Sequence, residues 1–369
     1  MSVIGHSPLA GASGAAGGAD PLYVDDVFST FLYTGDNTTG RDIVNGIDLS
    51  GEGGLVWVKR RATNSEDHVL LDTERGPNKF LMSNKTNSEN TSGGPITAFN
   101  SNGFEVDNNG YVNGNNDTYV SWTFRKAPKF FDVVTYSGTG SAQNISHSLG
   151  SVPGMIIIHC RDGTHDWEVY HRETGATKSL HLNKTDAAAT DSTVWNNTTP
   201  TSSVFTVGTS SNVNQNGHGY VAYVFAHDEQ SFGTNGDEAI IKCGIYTESS
   251  SAQEINLGFE PQFLLYKGAS AAGNWRLRDV MRGMSVTYGK QLEADSNQVE
   301  GVENKFLPTS TGFIAPNAWY GSGVQLIYMA IRRSHKPPAA GTEVFAVDTK
   351  SAASANTPQY TSSFPVDFV

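Results

Sequence analysis

Tyr119-Val-Ser-Trp122-Thr-Phe124-Arg125 places a large apolar side chain at every second residue, with small polar Ser121 and Thr123 between them. A period of two is the signature of a strand with one face on a core. The pattern returns as Tyr220-Val-Ala-Tyr223-Val-Phe225-Ala226 and as Leu326-Ile-Tyr-Met329-Ala-Ile331-Arg332. Each of these strands follows, at nearly constant distance, a run that is apolar on both faces: Leu55-Val-Trp57-Val-Lys59, Met155-Ile-Ile157-Ile-His159 and Phe263-Leu-Leu265-Tyr-Lys267. Trp57 precedes Trp122 by 65 residues, Ile157 precedes Tyr223 by 66, and Leu265 precedes Met329 by 64. A run without alternation predicts a central strand covered on both sides. The chain therefore reads as three copies of one unit of about 100 residues, a domain-sized period too long for a solenoid turn.

Further landmarks recur in the same order. Copies two and three share Leu149-Gly150 with Pro153 and Leu257-Gly258 with Pro261, where copy one keeps only the turn chemistry. After the first strand come Asp72-Thr-Glu-Arg75-Gly76 and Asp279-Val-Met-Arg282-Gly283; copy two has His171-Arg-Glu-Thr174-Gly175 instead. An Arg forking onto a nearby carboxylate while Gly turns the chain accounts for these groups structurally. The repeat signature is thus Trp57, Asp72, Arg75, Gly76, Trp122, Pro153, Tyr223, Pro261, Asp279, Arg282, Gly283 and Met329.

The composition, with 39 Gly, 10% aromatic and 17% charged residues, suits short strands joined by many turns. The expected fold is all-β: tandem antiparallel β-sandwich modules of jelly-roll or lectin-like type in three internal repeats, each with its own core. The expected boundaries are a Gly/Ala-rich arm at 1–22, repeats at 23–130, 131–238 and 239–335, and a Pro/Ala/Ser-rich linker or tail at 336–369, where Val344-Phe-Ala-Val347 reads as one more strand. Residues 1–20 lack the apolar content for a core and read as an arm that orders against a partner. The start has no secretory pattern, and no run is apolar over the length a membrane span needs.

A net charge of −12 argues against nucleic-acid binding, which needs a basic face. The short run Lys59-Arg60-Arg61 reads as a solvated strand end, as does Arg332-Arg333. Cys160 and Cys243 stand at unmatched repeat positions, so they are expected as buried free thiols. No nucleophile elbow, zincin helix, CxxC pair or phosphate loop is present, so no catalytic residue, metal or cofactor is expected. The group His165, Asp166 and His171 reads as a polar loop, and Asp107-Asn-Asn-Gly110 as a hairpin turn. The loop aromatics Trp195, Trp319 and Tyr320 are the candidate ligand contacts, since exposed Trp and Tyr among polar neighbours can stack on sugars; the structural alternative is that they fold back over the sandwich edge.

Tyr119-Val-Ser-Trp-Thr-Phe-Arg-Lys-Ala-Pro-Lys-Phe-Phe-Asp-Val-Val-Thr-Tyr136 followed by Leu149-Gly-Ser-Val-Pro-Gly-Met155 resembles a repeat module of tail-fibre-like virion structural proteins from marine tailed phages, the cyanophage type. Ile327-Tyr-Met-Ala-Ile-Arg-Arg-Ser-His-Lys-Pro-Pro338 and Gly341-Thr-Glu-Val-Phe345 resemble the segment that closes such a set. The resemblance implies a non-enzymatic virion component assembled in the host cytoplasm, a tail fibre or appendage subunit attached through its N-terminal arm. It also implies other virion proteins as partners, a homo-oligomer of trimeric type and contact with a host surface glycan. A capsid decoration or head-fibre protein is the alternative, and a carbohydrate-active enzyme with two carboxylates across a groove is a third.

Overall fold

The computed structural model describes residues 20–62, 66–284, 289–303, 306–318 and 320–338. Within them the chain is almost entirely antiparallel β-structure. The arm at 1–19, the strand expected at 344–347 and Trp319 lie outside the described residues. Among the described residues no helix is long and apolar enough to cross a membrane, which says nothing of a β-barrel.

One strand order recurs three times. In the first copy it is Phe28–Thr34, Thr118–Arg125, Gly54–Arg60 and Val69–Asp72. The second runs Phe131–Ser137, Gly219–Phe225, Met155–Cys160, Glu168–His171 and then two further strands. The third runs Ile241–Thr247, Gln325–Arg332, Pro261–Gly268, Arg276–Asp279 and again two more. The anchors picked out by spacing are direct cross-strand partners: Trp57 with Trp122, Ile157 with Tyr223, and Leu265 with Met329. A small second sheet accompanies each copy, Arg41–Val44 with Gly103–Val106 and Ile96–Asn100 in the first.

The pleat divides each central strand between two cores. Leu55 and Trp57 face one side of their sheet, while Val56 and Val58 face the other, against Ile43, Phe104 and Val106 of the small sheet. In the third copy Phe263 and Leu265 take the first side and Leu264 and Tyr266 the second. All residues of Gly54–Arg60 are buried, as expected for a strand covered on both faces.

The side carrying Trp57 corrects one expectation. The copies do not each close a separate core there. Trp57, Trp122 and Phe124 of the first, Met155, Ile157, Tyr223 and Phe225 of the second, and Phe263, Leu265, Ile327 and Met329 of the third form one continuous cluster. At its centre the ring of Phe124 lies 5.5 Å from Phe225 and 6.1 Å from Phe263, with edge-to-face packing in both pairs. Such aromatic pairs add roughly 0.5–1.5 kcal/mol each beyond the area they bury. One sheet face is too large and too apolar to leave open, so each copy covers those of the other two.

Candidate functional site

The landmark Asp-x-x-Arg-Gly lies at these inter-copy junctions. Asp72 closes a turn by accepting from the Arg75 backbone N–H (2.9 Å) on Oδ1 and grips the Arg75 Nε (2.6 Å) with Oδ2. Asp279 and Arg282 reproduce this at the same distances, 2.9 Å and 2.6 Å. The following glycines have positive φ, +84° at Gly76, +74° at Gly175 and +103° at Gly283. Nothing crowds a Cβ at Gly76 or Gly175, so it is the left-handed backbone that calls for glycine in those two turns.

Each turn is engaged by the closing strand of a different copy. Tyr223 of copy two donates its hydroxyl to Asp72 Oδ2 of copy one (2.9 Å) and accepts from Arg75 Nη2 (3.0 Å). Trp122 of copy one donates its indole N–H to Asp279 Oδ2 of copy three (3.0 Å), and the Arg282 guanidinium lies 5.3 Å from the Trp122 ring centroid. The third position holds Met329, whose thioether offers no donor, and there His171 of copy two turns to a backbone carbonyl, that of Tyr328 (3.1 Å). Burial holds His171 neutral, pushing its pKa down to about 4. In the neutral ring Nε2–H donates to that carbonyl, while Nδ1 accepts from the Glu173 N–H (3.3 Å). The contacts run in a cycle: copy one on three, two on one, three on two.

A second cycle lies beside the first. The backbone N–H groups of Glu89, Ala188 and Glu300 donate to the carbonyls of Arg161, Ala269 and Arg61, at 2.7, 2.8 and 2.8 Å. Two of these joints carry ion pairs, Arg161 with Glu89 (3.3 Å) and Arg61 with Glu300 (3.0 Å). Burial raises the Glu300 pKa, but its bond from Arg61 and the charges of Arg282 and Lys290 outweigh that, leaving it below the usual range. Lys59 therefore does not belong to a solvated strand end: it is fully buried, and its Nζ donates to the Arg60 (2.8 Å) and Asn297 (3.3 Å) carbonyls. His159 and Lys267 occupy the matching places and are fully buried too. These buried bases were missed because Lys is so rarely buried; their shared spacing from the anchors was the signal.

Of the loop aromatics, Trp195 and Tyr320 do not form a presented face. Trp195 is 1% exposed, and its ring packs edge-on against Tyr170 at 5.7 Å. The helical turn Ser192–Trp195, capped by Asp191, folds it over the sandwich edge. Tyr320 is half-buried, held by a bond from its N–H to Glu248 (2.8 Å) and by Arg276, which donates to its hydroxyl (3.3 Å). The expected hairpin at Asp107–Gly110 is instead an Asn109 cap on the helical turn Gly110–Asn113. Pro153 and Pro261 sit buried where the chain enters each central strand. Both cysteines are free and buried.

The family described as Domain of unknown function (DUF7483) matches residues 24–334. The chain belongs to the DUF7483 family. The matched span opens at the helical turn Val24–Val27 and closes just after the strand Gln325–Arg332. It therefore takes in all three copies of the unit together, in keeping with their common core. No curated protein matches the chain.

Proposed function

We propose that this chain is a non-enzymatic structural component of a phage virion, a tail-fibre or appendage subunit. The observation that carries the reading is how the repeated charged residues are used. Asp72, Arg75, Asp279 and Arg282 are the carboxylate and guanidinium groups an active-site reading would choose, yet each is buried and bonded to a partner within its own turn and to a side chain or ring of another copy. Their chemistry is spent on joining sheets. A unit whose three copies share one packed core and are joined in a cycle by buried hydrogen bonds suits a stiff block that transmits load between a particle and what it touches. The phage-like phrases at Tyr119–Met155 and Ile327–Pro338 support the same reading, and with it partner virion proteins, a homotrimeric state and contact with a host glycan. The test is to purify particles of a phage encoding the chain, detect the protein by mass spectrometry and place it by immunogold electron microscopy. Label on the tail or its appendages is expected. Label over the head would make it a capsid decoration protein, and absence from purified particles would overturn the reading.

A further inference from the structure

We infer that the end of the second central strand is a binding site for a zinc-like divalent cation, formed by Cys160, His165 and His218 with the carboxylate of Asp162. The donor atoms of Cys160, His165 and His218 all lie within 4.8 Å of one another. Cys160 Sγ is 3.8 Å from His218 Nδ1 and 3.5 Å from Asp162 Oδ1, and that oxygen is 2.8 Å from His218 Nδ1. Sulfur, nitrogen and oxygen ligands 2.0–2.3 Å from a tetrahedral zinc stand roughly 3.3–3.7 Å apart. Cys160, His218 and Asp162 are thus already near coordination spacing. The Asp162–His218 hydrogen bond has to open by about half an ångström, and His165, whose donor lies within 4.8 Å of those of Cys160 and His218, has to close in.

Local backbone makes the approach possible. A Cβ at Gly163 would lie 2.8 Å from His165 Nε2 and 3.2 Å from Cys160 Sγ, so that glycine leaves the space in which the imidazole and the thiol meet. The His218 ring accepts from the Gln215 amide at Nε2 (2.8 Å) and donates from Nδ1 to Asp162. A cation at Nδ1 takes the place of that proton, and turning the Gln215 amide over lets its oxygen accept from Nε2–H, the hold a metal-binding imidazole usually has on its second nitrogen. A thiol, two imidazoles and a carboxylate favour zinc over hard cations such as magnesium or calcium.

The other two copies give the independent argument. The cross-strand pairs Arg60–Tyr119, Cys160–Tyr220 and Gly268–Leu326 mark the equivalent place in each. In copy one it holds a cation: the Arg60 guanidinium, paired with Asp117 (2.5 Å) and Glu66 (3.5 Å). Asp117 stands two residues before Tyr119, as His218 stands two before Tyr220. In copy three the Tyr320 ring fills it, close enough to Gly273 that a Cβ there would be 2.2 Å from the ring. Copy two has Cys160 in the place of Arg60, its neighbouring Arg161 turns to Glu89 (3.3 Å), and four metal-type donors are left at this point. A cation at this point would also fasten the 161–165 loop, which grips copy one through the His165 N–H to the Thr86 carbonyl (3.0 Å) and through Arg161 to Glu89.

The test does not depend on any role in a virion. The full chain, stripped with chelator, is titrated with Zn2+ and with Co2+, and bound metal is counted by native mass spectrometry. One ion per chain is expected, with a thiolate-to-cobalt charge-transfer band for Co2+. Cys160→Ser, His165→Ala and His218→Ala should each weaken binding at least tenfold, and Cys160→Ser should abolish the band. Cys243→Ser, at the other buried thiol, should leave both unchanged. Zinc should slow hydrogen exchange at residues 86–89 and 161–165. Should Cys160→Ser misfold by circular dichroism, His165→Ala, on a partly exposed loop residue, decides. Absence of stoichiometric binding, or binding that survives the His165 and His218 changes, overturns the inference.

Discussion

Tyr223→Phe isolates the joint between the first two copies, because it removes one oxygen and little volume. The hydroxyl donates to Asp72 Oδ2 and accepts from Arg75 Nη2, at 2.9 and 3.0 Å, in a fully buried site. Its loss leaves a carboxylate oxygen and a guanidinium N–H each short of one partner, where water cannot readily substitute. Hydrogen bonds to charged groups contribute about 1.5–3 kcal/mol, and the two share one hydroxyl, so about 3 kcal/mol is expected in all. With an unfolding entropy of about 2.1 cal/mol/K per residue over the family-matched span, this is a fall in Tm of about 5 °C. Tyr136→Phe is the control: this half-buried residue's hydroxyl donates to the neutral Val213 carbonyl (2.7 Å) within its own copy, worth about 1 kcal/mol. Urea unfolding followed by tryptophan fluorescence gives both numbers. If Tyr223→Phe costs no more than Tyr136→Phe, the joint does not hold the copies together as argued.

Burial pushes the Lys59 and Lys267 pKa values down to about 8. Between about pH 8 and the unfolded value near 10.4 the unfolded chain holds more protons, so their effect on stability grows as pH rises through that window; Lys59→Met should flatten the rise in denaturant midpoint. For His171, with a folded pKa of about 4 and an unfolded one near 6.5, stability is full above pH 6.5 and is lost as pH falls toward 4; His171→Gln should reduce that loss in thermal melts. A fragment spanning residues 24–125 would expose Trp57, Trp122 and Phe124, and is expected to lack a cooperative thermal transition where the full chain has one. His171→Asp, although it restores the residue of the other copies, buries a carboxylate with Thr174 in place of the arginine that grips Asp72 and Asp279, and should cost about 3–5 kcal/mol in urea unfolding.

Strand identity was legible because the signal is local. Alternation in Val120, Trp122 and Phe124 assigns one face to a core, and the constant anchor spacing put true cross-strand partners together. What lay opposite that face was not legible. Trp122 meets Asp279 across 157 residues and Tyr223 meets Asp72 across 151, and no periodicity reports a contact of that span. Lys59 reads as solvated on its residue type, and the Asn297 carbonyl of copy three, together with its own copy's Arg60 carbonyl, allows it inside. For Trp195 the sequence leaves two readings open, a ligand contact or a ring folded over the sandwich edge, and the structure takes the second; a polar neighbourhood does not reveal that a capped helical turn folds the ring inward. Cys160 and His218, 58 residues apart, match no ligand spacing and are joined only by the pairing of their two strands.

The differences among the three joints follow from the problem of folding a repeated chain. Three identical copies with identical joints could associate in the wrong order or with copies from another chain, since each closing strand would fit each turn equally well. The joints here are not interchangeable. The turns at Asp72 and Asp279 each need a donor from the opposing strand, which Tyr223 and Trp122 supply and Met329 cannot. The turn at His171 has no carboxylate in the place of Asp72 and Asp279, and its histidine is satisfied by a backbone carbonyl beside a methionine. Placing the Met329 strand against Asp72 would leave a buried carboxylate short of a bond, a penalty of about 1–3 kcal/mol that the correct order avoids. The departure of copy two from the Asp-x-x-Arg pattern, and of copy three from an aromatic anchor, are therefore one feature seen from its two sides: the pair of changes that keeps this joint distinct from the others. Restoring only one side, as His171→Asp does, loses that match, whereas His171→Asp with Thr174→Arg and Met329→Trp recreates the copy-one/copy-three joint and should recover part of the lost stability.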